Sequence, residues 1–439
     1  MPTADPAPAD PSPAPATDPA PAATARGSGA LVRDRRFGSY VVGQWLSNTG
    51  NWFHNVAAGI VVFELTGSNT LVGVVGGLQF VFMLVLAPYA GSLGDRVDRR
   101  RLLLGGQVIG LVGAVGLAVV ALTVGLDRAG GVWPVVAATA VIGIGYAVSV
   151  PTIQAYVPSL VPSVDLPQAI ALNSVTFNLA RAIGPAAAGA LVAGVGAGWS
   201  FGVNALSFAI FTAVLVVLGR VPPPAAPADD QGSGGRAGGD QDASALAGLR
   251  LARQDRVVLT VLLGTVAVGF ASDPVNTLAP ALAARLGEGD WLVGAIGSAF
   301  GGGATLSAVF NKRLREAIGS RPTAILGLVG VGAGMAAGGA APTVPLLLVA
   351  MAVAGAGFIQ AVSQLNTALQ LHVDDRVRGR VMALWSVAFL GVRPVAAGLD
   401  GVVADAAGVP VAMALAGSVA GVGAAGLWVT RSRSTRAGA

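Results

Sequence analysis

The chain has 439 residues, 54% hydrophobic and only 11% charged, with a net charge of +5 and a mean hydropathy of +0.70. Soluble domains carry about 25% charged residues, so an ordinary soluble domain is excluded and an integral membrane protein is indicated. With no cysteine and only two histidines, His54 and His372, disulfides, thiolate metal sites and a histidine cluster for metal or catalysis are excluded as well.

In chain order, residues 1–30 are Pro/Ala-rich and lack the apolar core of a signal peptide. They read as a disordered cytoplasmic tail. Apolar runs of around 20 residues follow. They do not alternate in polarity, which excludes a membrane β-barrel and leaves helices. Six spans are expected at 37–63, 71–93, 102–125, 132–155, 168–193 and 199–218, giving an N-terminal bundle over 31–218. Residues 219–256 contain PPPAAPADDQGSGGRAGGDQDAS, a linker by composition, ending in ALAGLRLARQDR, a short interfacial helix. Six more spans are expected at 257–283, 291–310, 322–340, 343–366, 381–404 and 408–430, giving a C-terminal bundle over 257–430 and a tail at 431–439. The fold class expected is therefore an all-α integral membrane protein of twelve helices in two pseudo-symmetric six-helix bundles.

Lys and Arg placement sets the direction, because cytoplasmic loops retain them. With the N terminus inside, inside segments hold 23 of the 27 basic residues, outside segments only Arg128 and Arg285, and spans only Arg181 and Arg393. Both termini are expected on the cytoplasmic side of the inner membrane.

The two halves resemble each other. The fifth span carries RAIGPAAAGAL and the eleventh GVRPVAAGLDG, with Pro185 and Pro394 standing 209 residues apart. A two-fold repeat of hydrophobic units is a transporter signature. Gly184, Pro185, Gly189 and Pro394 are expected to bend these helices.

Charges inside spans are costly, about 2.5–3.5 kcal/mol on insertion scales, and face a bundle interior or a water cavity. Arg181, Arg393 and Asp273 in the seventh span are expected to line a central cavity, Asp273 as the proton-coupling group; the other reading is a structural ion pair between halves. The first span carries Gln44, Asn48, Asn51 and Asn55 at steps of 4, 3 and 4, one helix face with His54 beside it. This stripe reads either as cavity lining or as hydrogen-bonding glue between helices. Gln154, Asn173, Asn178, Asn276, Gln360, Gln364 and Asn366 are further cavity positions. No phosphate-binding loop is present, so ATP-driven transport is disfavoured for this chain.

Residues 91–101, GSLGDRVDRRR, resemble the signature of the major facilitator superfamily between its second and third helices, with Asp98 in place of the pattern's second glycine. VRGRVMAL at 377–384 is similar to the family's loop entering the eleventh helix. Gly184-Pro185-x-x-x-Gly189 resembles a degenerate form of the drug–proton antiporter motif. Thr139 stands where antiporters of the family often carry an Arg, four residues before Gly143-Ile144-Gly145. The whole looks most like the bacterial drug- and siderophore-efflux branch, macrolide- and enterobactin-type. This resemblance implies a gate built from Gly91, Asp95, Arg96, Arg99, Arg100, Arg378 and Arg380. Asp95 would cap the positive N terminus of the eleventh helix, worth about 0.3–2 kcal/mol, and the arginines would bind anionic lipid at about 1 kcal/mol each.

The reading that follows is a secondary transporter exporting a small amphiphilic organic compound by alternating access and proton antiport. An uptake permease or uniporter is the alternative, with a receptor or enzyme disfavoured. Small-molecule substrate, protons and membrane lipids are the expected partners; nucleic acid, metal and cofactor are not expected, and a monomer is.

Overall fold

The computed structural model describes residues 26–94, 97–219 and 254–436. Among them the chain is helical throughout, with no strand. The first half holds α1 (Ser28–Arg33), α2 (Arg35–Thr66), α3 (Asn69–Gly94), α4 (Arg99–Val119), α5 (Trp133–Leu160), α6 (Leu166–Val195) and α7 (Ala197–Val217). The second holds α8 (Arg256–Ala271), α9 (Pro274–Thr277), α10 (Ala279–Arg285), α11 (Trp291–Ile318), α12 (Ser320–Ala340), α13 (Val344–His372), α14 (Asp375–Leu390), α15 (Val392–Ala407) and α16 (Val409–Arg436).

Eleven helical runs among the described residues are long and apolar enough to cross a membrane. α2, at 32 residues, is long enough to be the twelfth; its stripe of amides and His54 makes it too polar to count by composition. Residues 26–30 of the expected tail are among those described. α1 begins at Ser28, and Arg26 pairs with Asp165 at 2.7 Å and with Asp34 at 3.2 Å, fastening the chain start to the head of α6. Residues 1–25, most of the expected linker and the interfacial helix at its end lie outside the described residues.

Two spans are discontinuous. α8, α9 and α10 form the seventh, interrupted at Ser272–Asp273 and Leu278, where Pro274 and Pro280 remove backbone donors. α14 and α15 form the eleventh, separated at Gly391. α6 runs unbroken through Gly184, Pro185 and Gly189. Gly189 of α6 meets Gly294 of α11 closely, and Pro394 sits in the first turn of α15, just past the interruption at Gly391.

The repeat is built in detail. Asp34 accepts hydrogen bonds from the Arg36 and Phe37 N–H groups and caps α2; Asp255 does the same for α8 through Val257 and Val258. Arg100 donates to the Leu215 carbonyl at the end of α7 (2.7 Å), and Arg321 donates to the Leu427 carbonyl of α16 (3.0 Å). Gly106 lies against Gly145 between α4 and α5, as Gly327 lies against Gly357 between α12 and α13. The first three spans of each half thus match at an offset of 221 residues and the last three at 212. This corrects the proline match. Arg181 and Arg393 are equivalent at 212, but Pro185 and Pro394, at 209, stand about one helical turn apart in the repeat.

The halves meet along two interfaces, α6 with α11 and α3 with α15. A methyl on Gly73 of α3 would collide with the Ala397 carbonyl of α15, and one on Gly294 of α11 with the Pro185 carbonyl of α6. Gly401 lies against Asn69 and Thr70, and Gly189 against Gly294 and Asp290. Without a hydrophobic drive between helices in lipid, such backbone proximity is what holds them. All these contacts lie toward the face opposite the arginine-rich loops. The protein is closed there.

Candidate functional site

Between the halves lies a cavity of about 540 Å³. Its lining brings together most of the residues singled out in the sequence: Gln44, Asn48, Asn51, His54, Asn55, Gln154, Asn173, Asn178, Arg181, Asp273, Asn276 and Arg393. The stripe on α2 therefore faces the cavity, and Asn51 accepts a hydrogen bond from Gln79 of α3 at 3.4 Å.

Three charged side chains line it. Asp273 sits at the interruption between α8 and α9, and Arg393 sits just past the interruption between α14 and α15, so both project where their own helix has opened. The Arg393 Nε lies 4.0 Å from Asp273 Oδ1, a contact too long for a hydrogen bond. Thr277 Oγ1 donates to the other carboxylate oxygen at 2.8 Å. Arg181 of α6 has no carboxylate within 4.0 Å among the described residues. Its guanidinium instead lies over Phe358 (4.5 Å to the ring centroid) and Phe300 (5.2 Å), both from the other half. Arg393 in turn lies over Phe80 of the first half at 4.8 Å and over Phe389 at 6.0 Å.

His54 is 1% exposed, with its Nε2 3.0 Å from Thr139 Oγ1 and its ring 5.8 Å from Phe201. The position where the resemblance places an antiporter arginine is thus taken by a hydroxyl bonded to a histidine. Gln364 does not line the cavity: it is 3% exposed, and its amide donates to Asn311 between α13 and α11. Gln360 likewise bonds Ser307, and Asn366 accepts from Gln370. Gln360 and Gln364 thus sit on the packing face of α13 against α11, and Asn366 is half-buried and pairs within its own helix. Among the described residues no group of three His, Asp or Glu side chains gathers to hold a metal.

The gate motif divides. Asp95 and Arg96 lie outside the described residues. Gly91 is in the last turns of α3, and Arg378 and Arg380 are exposed in the first turns of α14. Asp98, the departure from the family pattern, acts locally. Its Oδ1 accepts from the Arg101 N–H at 3.0 Å and caps α4. Arg99 is exposed in the first turn of that helix. Arg100 does not reach toward a gate; it occupies the end of α7 through the Leu215 and Val216 carbonyls.

The closed face carries a latch that the sequence reading does not foresee. Asp405, near the end of α15, accepts from the Asn69 and Thr70 N–H groups (2.8 and 2.9 Å) and from the Ser68, Asn69 and Thr70 side chains (2.9, 2.9 and 2.7 Å). Ser68 itself accepts from the Leu71 N–H. The orphan donors and the positive end of α3 are thereby satisfied by a carboxylate of the other half. The available signal is Ser-Asn-Thr opening a span, a helix start with surplus donors.

Similarity to known proteins places the chain in a family. Residues 27–437 match the family of transmembrane secretion effectors in the major facilitator superfamily. The enterobactin exporter EntS of Escherichia coli (strain UTI89 / UPEC) is 28% identical over 345 residues, covering 75% of this chain and 76% of the relative. The same exporter of Shigella boydii serotype 4 (strain Sb227) matches to the same extent. Among solved structures, an inward-facing bacterial homologue of the human lysosomal transporter Spinster aligns with a TM-score of 0.72 at 14% identity, over 90% of this chain and 97% of that one. The nucleoside transporter NupG aligns at 0.68 and 13%, over 89% and 98%. These structures share the fold. The chain is a multi-pass membrane transporter, not an enzyme, and it belongs to the transmembrane secretion effector family of the major facilitator superfamily.

Proposed function

We propose that this transporter exports a small amphiphilic organic compound across the cytoplasmic membrane by proton antiport, with its arginine-rich face and both termini in the cytoplasm. The observation that carries the reading is the cavity between the halves, with Asp273 at a helix interruption beside a distant Arg393. A buried carboxylate held by one hydroxyl and a guanidinium 4.0 Å away can exchange that partner for a proton. The arginine placement supports the orientation, and the similarity to exporters of a siderophore supports the direction. Loading from the cytoplasmic side while the opposite face is shut, then closing there and opening at that opposite face, completes export.

Inside-out vesicles from cells with and without the protein test it, using a panel of amphiphilic drugs and metabolites. An acidic lumen drives accumulation of at least one compound, and Asp273→Asn removes the dependence on the pH gradient. Movement only out of such vesicles would make the protein an uptake permease. Accumulation that survives collapse of the gradient would remove the antiport.

A further inference from the structure

The cavity charges do not balance. Arg181, Arg393 and Asp273 are the charged side chains among the described residues that line it, two cations against one anion. Asp273 is nearest Arg393, so the surplus charge resides at Arg181. That guanidinium has no hydrogen bond and no ion pair among the described residues; its partners are the faces of Phe300 and Phe358. A guanidinium carries five N–H donors in a planar fork suited to a carboxylate or phosphate. Stacking on rings leaves those edge donors available. The Arg393 Nε is likewise buried without a hydrogen-bond partner.

We propose that Arg181, with Arg393 opposite it, forms an anion-binding site shared by the two halves, and that the substrate is an organic anion with an aromatic or apolar body. The inference deepens the export reading above and rests on it for the identity of the ligand as cargo. Three features argue for it together. An uncompensated cation lodged against aromatic rings favours an incoming negative charge. The rings that flank the guanidiniums offer an aromatic body surface beside its charged group. Each arginine also reaches onto a phenylalanine of the opposite half, so an anion bridging them touches both moving bodies at once and reports occupancy to the gates.

The test uses the full chain in nanodiscs and three probes of one shape and different charge: 2-naphthoate, neutral 2-naphthamide and 2-naphthylmethylammonium. Quenching of Trp52, which lines the cavity, reads binding, with Trp52→Phe identifying its share of the signal. The carboxylate is expected to bind about tenfold more tightly than the amide, and the ammonium most weakly. Arg181→Gln is expected to remove that preference by weakening carboxylate binding about tenfold more than amide binding, and Arg181→Lys to restore part of it. The charge series on the unsubstituted protein is decisive even if a variant fails to fold. No binding by the carboxylate, equal binding of all three or a preference for the ammonium overturns the anion site, and equal displacement of 2-naphthoate by chloride and by 1-naphthoate overturns the aromatic or apolar body. Binding measured without a gradient does not depend on export. Carboxylate preference without proton-driven transport therefore sinks the export reading alone, and proton-driven transport of neutral or cationic compounds untouched by Arg181→Gln sinks the anion site alone.

Discussion

A single carboxylate, Asp405, gathers five hydrogen bonds from the first residues of α3. Its value to the closed face is that of an anion at a helix N terminus plus charge-assisted bonds, about 1 kcal/mol after exposure is allowed for. Asp405→Asn is therefore expected to shift the equilibrium toward opening at that face by roughly fivefold, read as a longer spin–spin distance across the α3–α15 interface. An unchanged distance distribution would leave Asp405 a local helix cap only. Asp34 gives a pH-dependent counterpart. The Phe37 N–H holds its carboxyl below the usual range, against partial burial, with the Arg36 N–H and Arg26 adding to the effect. A depressed carboxylate stabilises above the unfolded value of about 3.9 and loses its contribution as pH falls through the folded one. Amide exchange at Arg36 and Phe37 is expected to quicken in that acidic window and to be unchanged near neutrality.

Among elements, the four helices of the two interfaces carry the switch, and glycine decides how closely they meet. Gly73→Ala or Gly294→Ala would drive a methyl into a facing carbonyl, whereas the space beside Gly76 and Gly302 is open. The first pair is expected to open the closed face and the second pair to leave it shut. Accessibility of a cysteine placed in the cavity to a reagent from the opposite face distinguishes them. How far such features are legible in a sequence depends on the partner they need. Spans follow from apolar length, and the cavity face of α2 follows from four amides at helical spacing, because both are properties of one helix. The place of Gln364 does not: an amide on α13 reads the same whether it meets a cavity or Asn311. Asp405 and the proline register fail for the same reason. Pairing α3 with α15, or aligning Arg181 with Arg393 rather than Pro185 with Pro394, needs contacts between segments over 200 residues apart.

For the whole molecule, orientation is testable because the chain has no cysteine. A cysteine at Glu288, in the turn before α11, is expected to react with an impermeant maleimide from outside intact cells. One at Glu316, near the end of α11 on the arginine-rich face, is expected to react only after lysis. Reversed labelling would invert the molecule and turn the closed face inward. Within each half, Arg100 and Arg321 tie the start of the third span to the end of the sixth. These ties lie inside the halves, so they hold through a rocking motion that breaks only contacts between them.

The glycine contacts on the closed face have a consequence for the other state. Along α6 and α11 the small residues that meet the other half cluster toward that face, at Gly189, Gly294, Gly297 and Gly301, while the same face of α6 carries Val175 and Leu179 toward the arginine-rich end. When those ends come together α6 presents β-branched and leucine side chains in place of glycine, at a wider helix separation. The two closures are therefore unequal in kind: one is a tight, rigid fit of main chain on main chain, the other a deformable seam of rotamers. Substrates of different girth would be felt mainly by the second, which can yield around what it encloses.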